Sequence, residues 1–549
     1  MATIDISFEK LKNDLNIKDL TISLLEEILF DFGLEIDSYN SLEDILKIEI
    51  TAERTDLLSY YGLLRALKSY INVEKYTFPN IKKSNLVVNV LQSARDYGNY
   101  TLCLVVKKLS LDDSKIKEII NIQEKIHLTY GRKRKTVAIG VYPLDKIQFP
   151  ITFCALNPKE IKFTPLGFDK ELDGFEIIKK HPAGITYNSL LEGKDKYLCF
   201  LDSNNKFLSM PPIINSKDTG KVDFNTKDLF IECTGKSLHK LNHVINIFTA
   251  LFSDMGGEIY SLEIKYPDNT ILSPNNDFNK MVISVDDVKN LIGIDISVEK
   301  MKFFLEKMMY DCKIIDNKKI EVIIIGFRTD VLHINDLCDD IARAYTFSKI
   351  IPTNAKVVSI SERLDESILQ EDIIRIMTTM GFIEVMPLIL GSKKESFENF
   401  NLNKTDYISL GFSAENSLNI INSWYIPKLF KILINNQHKF FPQKIFVCDY
   451  VVISDNKSDI LSKTVLKLSA VIANNIISFT EISSVLYSLC NILGKKLELR
   501  KKDLEFFISG RSAEVIIDDK IVGFIGEFLP DVLINNNYTN PVCGFEIFI

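Results

Sequence analysis

The sequence predicts a multidomain protein of the α+β class, and three observations carry that reading. The chain has 549 residues, more than one core organises, so three to five domains of roughly 100–200 residues each are expected. Its composition, 46% hydrophobic and 25% charged, is that of a soluble globular protein. Segments alternating between apolar and polar residues are interleaved with segments of helical period, so strands and helices share the domains.

The elements follow in chain order. From Asp19 to Phe32 the period is helical, and Gly33 closes it at a C′ position. LKIEIT alternates like a strand, and Asp56 to Tyr70 reads as one helix with Leu57, Leu64 and Leu67 among its apolar positions. NLVVNVL and YTLCLVVKKL read as strands. The charged helical stretch LDDSKIKEIINIQEKIHLTYG leads into RKTVAIGVYPL. From Ile151 to Gly235 turn signals are dense: Asn157-Pro158, Leu166-Gly167, His181-Pro182-Ala183-Gly184 and Met210-Pro211-Pro212. They predict a compact mixed domain of short strands, with SLHKLNHVINIFTALFSDMGG as a long helix behind it. A separate unit from Ile283 to Pro352 reads strand, helix, helix, strand (KIEVIIIGF) and a final acidic helix. The remaining chain ends in strands such as AEVIID and KIVGFIGEF. No internal repeat and no low-complexity linker is evident.

Several function classes are excluded at this level. No apolar run reaches the roughly 18 residues of a membrane span. The start, MATIDISFEKLKNDL, lacks the basic-then-apolar pattern of a signal peptide. Nine scattered cysteines, with no CxxC pair, argue against a disulfide framework or a Cys-based zinc site. A reducing, cytoplasmic setting is the expectation. With a net charge of −7, any nucleic-acid contact must come from local basic patches. GRKRK at Gly131–Lys135 and GKKLELRKK at Gly494–Lys502 are the candidates, each readable as an RNA contact or a solvated face. There is no Gly-rich phosphate loop, no G-x-S-x-G elbow and no HExxH. His239 and His243 have a spacing that could share a metal, but no carboxylate lies between them in the zincin pattern, so a solvent-facing pair is the simpler reading.

The densest chemistry is FRTDVLHINDLCDDIARAY, Phe327 to Tyr345. On a helix, Ile334, Leu337, Cys338, Ile341 and Tyr345 line one side, and Asp336, Asp339, Asp340 and Arg343 the other. Asp336 and Asp340 repel at i,i+4. A hard cation such as Mg²⁺ would relieve that repulsion; an acidic solvated face is the alternative.

Several segments together resemble the β subunit of phenylalanyl-tRNA synthetase in its archaeal/eukaryotic form. ITAERTDLLSYYGLLRAL is similar to the family's NRPDLLS and GIARAL segment. NIQEKIHLTYGRKRKTVAIGVYPLDKI resembles its LQEKLH, GR.RKK.AIG and DLDKI run. FTPLGF, HPAGITYNSLLEGKDKY, LSMPPIINS and TKDLFIECTG follow in family order. FRTDVLHINDLCDDIARAY resembles YR.DVLH..DL.ED.A.AYG, and FPQKIFVCDYVV and SGRSAEVIIDDKIVGFIGEFLPDVL complete the match, which covers nearly the whole chain.

The resemblance implies a division into an N-terminal α/β module (1–80), an editing and tRNA-related domain (81–275), a small winged-helix-like module carrying magnesium on the acidic helix (276–353), and a C-terminal module (354–549). The last would be a class II synthetase-like antiparallel sheet that serves as subunit interface without catalysis. Phenylalanine would be attached to tRNA(Phe), with ATP, on an α subunit in an α₂β₂ tetramer, with no membrane involved. Magnesium is implied at Asp330, Asp336, Asp339 and Asp340; the third is usually Glu. The middle domain would hydrolyse mischarged Tyr-tRNA, with Phe200, Ser209, Asn215, Glu232 and Thr234 around its pocket. A second, hydrolytic site is useful because a pocket built for a phenyl ring poorly rejects an analogue that only adds a hydroxyl. Two departures bear on it: the family usually has Asp at the Glu232 position and a smaller aliphatic at Phe200. The alternative is a structural or tRNA-binding partner with a decayed pocket. Asn422 stands where Arg is common, in IINSWYIPKLF, and Trp424 there is a candidate interface anchor.

Overall fold

The computed structural model describes residues 2–549, apart from 72–75, 276–277, 355–359, 404–405, 414 and 416. The chain divides into two compact units, 1–354 and 355–549.

In the first unit one buried cluster runs from Ile4 to Ala344, threading three separate sheets, and a smaller one gathers Cys154, Ile161, Ile177, Cys199 and Met210. The N-terminal sheet pairs Ala2–Ile6 and Glu35–Asn40 on either side of Ile45–Ile50. The first expected helix begins at Ile22, not Asp19, because Thr21 is in the extended region and caps it, accepting from the Leu24 amide at 3.2 Å. Gly33 ends it at φ +94°. A Cβ there would lie 2.0 Å from Nη1 of Arg343, so glycine is needed for this close approach as well as for the left-handed turn. Asp56–Tyr70 is not one helix. A 3₁₀ turn, Thr55–Leu57, gives way to Ser59 in an extended conformation, whose hydroxyl accepts from the Gly62 amide and starts Tyr60–Tyr70 afresh.

The middle of the unit is a ten-stranded sheet. From one end its order is Ile214–Asn215, Phe207–Met210, Tyr197–Leu201, Ile151–Leu156, Ile81–Val90, Glu258–Lys265, Tyr100–Lys107, Leu229–Gly235 and Val137–Pro143, with Thr270–Ser273 on the far edge of Glu258–Lys265. Leu238–Asp254, capped by Ser237, lies against it and buries Leu241, Val244, Ile245, Ile247, Phe248, Leu251 and Phe252. Each such side chain contributes about 1.5–3 kcal/mol by leaving water.

The third sheet pairs Asn279–Ser284 and Asp311–Ile314 with Lys319–Ile324, flanked by helices Val285–Ile292, Val298–Lys307 and Ile334–Tyr345. The short strand Asp311–Ile314 escaped the sequence reading. Only one of its four residues is buried, so it carries no apolar alternation.

The second unit is built on a seven-stranded sheet, Ile383–Glu384, Gln443–Ser454, Ser462–Ala473, Val542–Phe548, Lys520–Phe528, Phe507–Ile517 and Leu497–Lys501, antiparallel except for its first pair. Alternation sorts its two faces. Val447, Val451, Val471 and Ala473 face a cluster that includes Phe397, Phe400, Phe430 and Phe528. Phe446, Cys448, Leu468 and Ala470 face Ile373, Met377, Ile482 and Leu486 of helices Asp365–Thr379 and Phe479–Ile492. Trp424 belongs to the first cluster. It packs on Phe400, Phe506 and Phe524, and its indole N–H donates to the Ser396 carbonyl at 2.9 Å. It is therefore an anchor of the unit's own core, not of an interface. Asn422 is fully buried and hydrogen-bonds Ser396 at 3.0 Å.

Candidate functional site

The register of the large sheet places the middle-domain residues. Phe153, Phe200, Ser209 and Asn215 face one another strand by strand at one end, and Cys103, Glu232 and Gly140 at the other. Directly opposed residues share a face, and so do residues two apart on a strand. Tyr142, two residues beyond Gly140, joins the ends. Its hydroxyl is 2.8 Å from Oγ of Ser209, 3.1 Å from Oε1 of Glu232 and 3.4 Å from Oδ1 of Asn215. The sheet is thus rolled until its first and last strands meet over a pocket of about 310 Å³.

Ser209, Asn215 and Glu232 line this pocket, at its polar end. Ile116, Ile119, Ile139, Val141, Ile213 and Val222 supply apolar walls. Burial pushes the Glu232 carboxyl up to about 8, against the downward pull of the Tyr142 hydrogen bond, so it is protonated at neutral pH. Tyr142 has one proton and three acceptors in reach; a protonated Glu232 lets one of those contacts run from the carboxyl to the phenol oxygen. Oε2 of Glu232 is buried and has no hydrogen-bond partner among the described residues. An unsatisfied buried carboxyl oxygen costs about 1–3 kcal/mol and is an acceptor awaiting a donor. Gly140 makes the arrangement possible: a Cβ there would stand 2.3 Å from the Tyr142 hydroxyl and 2.5 Å from Oε1 of Glu232.

The other two expected residues stand outside the lining. Phe200 is fully buried and stacked on Phe153 at 4.5 Å, so its bulk fills core and not pocket. Thr234 is buried on the Glu232 face, one step further along the strand.

The rim contains His127 and Glu124, which the sequence reading passed over, and Arg134 of the GRKRK run. Nε2 of His127 accepts from the Ile139 amide at 2.9 Å, so Nδ1 carries the proton and donates to Glu124 at 3.2 Å. Burial lowers its pKa despite Glu124, which leaves a neutral ring with both nitrogens occupied. Arg134 donates to Oε1 of Glu124 at 2.9 Å and to the Ile213 carbonyl at 2.8 Å, and lies 4.5 Å from the Tyr187 ring centroid. A lone glycine inside the alternating VAIGVYP was the available signal for the close approach at Gly140, since glycine in a strand marks such contacts.

The four acidic-helix aspartates meet around a second pocket, of about 190 Å³, lined by Glu53, Arg54, Asp330, Asp336, Asp339, Asp340 and Arg343. They do not form one solvated face. Asp340 is buried at 4% exposure. Arg328 reaches it at 2.6 Å and grips Asp330 with two bonds of 2.9 and 2.7 Å. Burial would raise the Asp330 carboxyl, but the Arg328 charge and hydrogen bonds outweigh it and hold it at about 2. Tyr310 also donates to Asp340. Asp336 accepts the amides of Leu332 and His333, both at 2.7 Å, at the helix N-terminus. Asp339 pairs with Arg343 at 2.8 Å. Arginines and a helix end therefore offset the repulsion that a cation would also relieve. Among the described residues no three His, Cys, Asp or Glu side chains are arranged to hold a metal ion.

Arg-Thr-Asp also occurs twice, a repeat too short to stand out. Arg54 grips Asp56 with two bonds of 2.9 Å, as Arg328 grips Asp330, and Thr55 meets Thr329 at 3.1 Å. The histidine pair is solvent-facing in one half only: His239 is exposed. His243 is buried, 2.9 Å from the Tyr130 hydroxyl, and burial together with the nearby His239 lowers it to about 4.

Three family models match: the phenylalanyl-tRNA synthetase β-subunit B1 domain over residues 1–72, the tRNA synthetase B5 domain over 281–347, and the phenylalanyl-tRNA synthetase β-chain CLM domain over 351–549. Among curated relatives, the phenylalanine–tRNA ligase β subunit of Pyrococcus furiosus is 34% identical over 90% of this chain and 89% of its own length. That of Thermococcus sibiricus is 31% identical over 99% and 98%, and that of Archaeoglobus fulgidus 34% over 92% and 91%. A crystal structure of an N-terminal fragment of the phenylalanyl-tRNA synthetase β subunit from Pyrococcus horikoshii matches at a TM-score of 0.60 and 33% identity. It covers 63% of this chain and 99% of that one. Among the described residues no helix is long and apolar enough to cross a membrane.

Proposed function

This chain belongs to the phenylalanyl-tRNA synthetase β-subunit family, and from that premise we propose that it works in an α₂β₂ phenylalanine–tRNA ligase and there hydrolyses tyrosine wrongly attached to tRNA(Phe). The family name implies an α subunit and tRNA as partners. Synthesis, with ATP, is assigned to the α subunit and the work to the cytoplasm. The observation that carries the editing reading is the orphaned Oε2 of Glu232, which lines the pocket beside Ser209 and Asn215 with apolar walls around it.

A tyrosyl group entering with its ring between Ile139, Ile213 and Val222 would bring its hydroxyl to that oxygen. It would donate to Glu232 Oε2, an acceptor already desolvated and held by Tyr142. A phenylalanyl group has no donor to offer, so it leaves the oxygen unsatisfied. Discrimination by a buried polar partner is far sharper than by shape. Phe200 does not narrow the pocket, which supports a working site over a decayed one. We assign Ser209 and Asn215 to holding Tyr142, and Thr234 to support behind Glu232.

Magnesium enters this proposal only as a hydrated ion. Mg²⁺ usually keeps several waters, and Asp336 and Asp339 are the carboxylates not already bound to Arg328; Asp330 and Asp340 would act through that arginine.

The test is co-expression with a cognate α subunit and deacylation of Tyr-tRNA(Phe). The expected result is hydrolysis of Tyr-tRNA(Phe) with Phe-tRNA(Phe) spared. A complex that charges phenylalanine but leaves Tyr-tRNA intact would reject the editing assignment.

A further inference from the structure

We infer that Arg132, Lys133, Lys135, Lys194, Lys236 and Lys240 form a phosphate-binding strip that leads the single-stranded 3′ end of an RNA into the 310 Å³ pocket. The inference deepens the editing reading and rests on it.

Its first support is conformational. Arg132, Lys133 and Arg134 are consecutive non-glycine residues with φ of 47°, 55° and 63°. Left-handed backbone at such residues costs on the order of 1 kcal/mol or more each, and persists only where the surroundings impose it. Here the Gly131 amide bonds to the Ile126 carbonyl at 2.7 Å, the Arg134 amide to His127 at 3.0 Å and the Thr136 amide to Gly131 at 2.9 Å. The turn holds Arg134 inward, tied to Glu124 and Ile213 at the pocket rim, while Arg132, Lys133 and Lys135 are exposed.

The second support is charge. The chain carries −7 overall, and its other basic run is cancelled locally: Arg500 and Lys502 both pair with Glu514, and Lys495 with Asp518. None of the six residues of the strip forms an ion pair among the described residues. Gly235 is paired with Val137, and a Cβ on it would lie 2.3 Å from the Thr136 carbonyl, so the backbone of Lys236 follows at the level of Thr136, one residue from Lys135. Lys194 is close enough to feel Lys236, whose charge adds to burial in lowering it. Lys240, 5.6 Å from the Tyr130 ring centroid, continues the line on the first turn of Leu238–Asp254. Uncompensated cations gathered beside a pocket mouth are costly unless a polyanion neutralises them, and a nucleic-acid backbone does so by releasing its counterions. A single strand fits where a duplex does not, because only a flexible end can deliver a terminal group into a pocket of this size.

The experiment uses the α–β complex and two substrates, Tyr-tRNA(Phe) and 3′-O-tyrosyl-adenosine, which carries the ester but no upstream phosphate. The variant is Lys133→Gln, Lys135→Gln, Lys236→Gln. KM for Tyr-tRNA deacylation is expected to rise at least tenfold. The slope of log KM against log salt should fall by about 2, at roughly 0.7 per single-strand phosphate contact. Hydrolysis of tyrosyl-adenosine should keep its kcat/KM. An unchanged KM and salt slope for the tRNA would overturn the strip while leaving the editing site standing, and so would an equal loss on both substrates. A wild-type complex inert toward both would instead reject the editing reading itself.

Discussion

Glu232→Gln tests the electrostatics of the pocket at their source. Gln keeps the shape of a protonated Glu but cannot ionise. The wild-type carboxyl has its folded pKa raised from an ordinary 4.5 to about 8. A group raised in the folded state contributes stability fully below its unfolded value and loses it as pH climbs through the folded one. Wild type relative to variant should therefore be flat below about pH 4.5, weaken by about 1.4 kcal/mol per pH unit up to about 8, and flatten again. The total is about 5 kcal/mol, an upper limit because water entry would relieve part of it. Any fixed penalty from placing an amide beside Tyr142 shifts the whole curve and leaves its slope alone. Hydrogen exchange of the amides in Leu229–Gly235, measured for both proteins at matched pH, reads the difference. Protection of wild type relative to variant should fall by roughly four-hundredfold between pH 5 and 8. A ratio that stays constant over that range would mean that Glu232 is ionised throughout and not desolvated.

Two further expectations concern the same cluster. Tyr142→Phe deletes the hydroxyl that Ser209, Asn215 and Glu232 share; losing such a partner costs about 1–3 kcal/mol, so Tyr-tRNA deacylation should slow roughly ten- to hundredfold with phenylalanine charging intact. Equal deacylation rates would remove Tyr142 from the site. Gly140→Ala inserts a methyl within 2.5 Å of both the Tyr142 hydroxyl and Oε1 of Glu232. It should destabilise the first unit by about 1–3 kcal/mol and abolish deacylation together; a thermal midpoint and rate equal to wild type would show the contact to be looser than drawn.

What the sequence conveyed and what it withheld divide along physical lines. Long periodic segments such as Leu238–Asp254 and caps such as Gly33 are local, and were legible. The resemblance pointed to Ser209, Asn215 and Glu232, which do share a pocket, but also to Phe200 and Thr234, which flank it. Strand alternation names a face, whereas only the rolling of the sheet decides which residues on that face border empty space. Tyr142 could not be found by local reading, since it acts on strands about 70 and 90 residues away. On the acidic helix the solvated-face alternative fails for a related reason. Projection onto a wheel put Asp340 on the solvent side, but Arg328 from the preceding turn lies across it and makes a buried pair where a bare wheel shows repulsion.

That pair changes what a magnesium test must look like. Charge removal at Asp340 cannot separate a metal site from a solvated face, because Asp340→Asn strips Arg328 and Tyr310 of a buried partner whatever the ion does. Breaking a buried ion pair from one side typically costs about 3–5 kcal/mol, so this variant should be strongly destabilised both with magnesium and with chelator. Asp339→Asn is the informative change. Asp339 is half exposed and its partner Arg343 is partly solvated, so losing the pair alone should cost less than about 1 kcal/mol. If a hydrated Mg²⁺ sits over Asp336 and Asp339, the complex should gain thermal stability on adding magnesium, by RT ln(1 + [L]/Kd), and Asp339→Asn should lose most of that increment. The expected pattern is thus a large loss at Asp340 that ignores EDTA and a small loss at Asp339 that depends on it. A midpoint that magnesium does not move in wild type, with Asp339→Asn neutral in both conditions, would leave Arg328, Arg343 and the helix end as the full account of the aspartates.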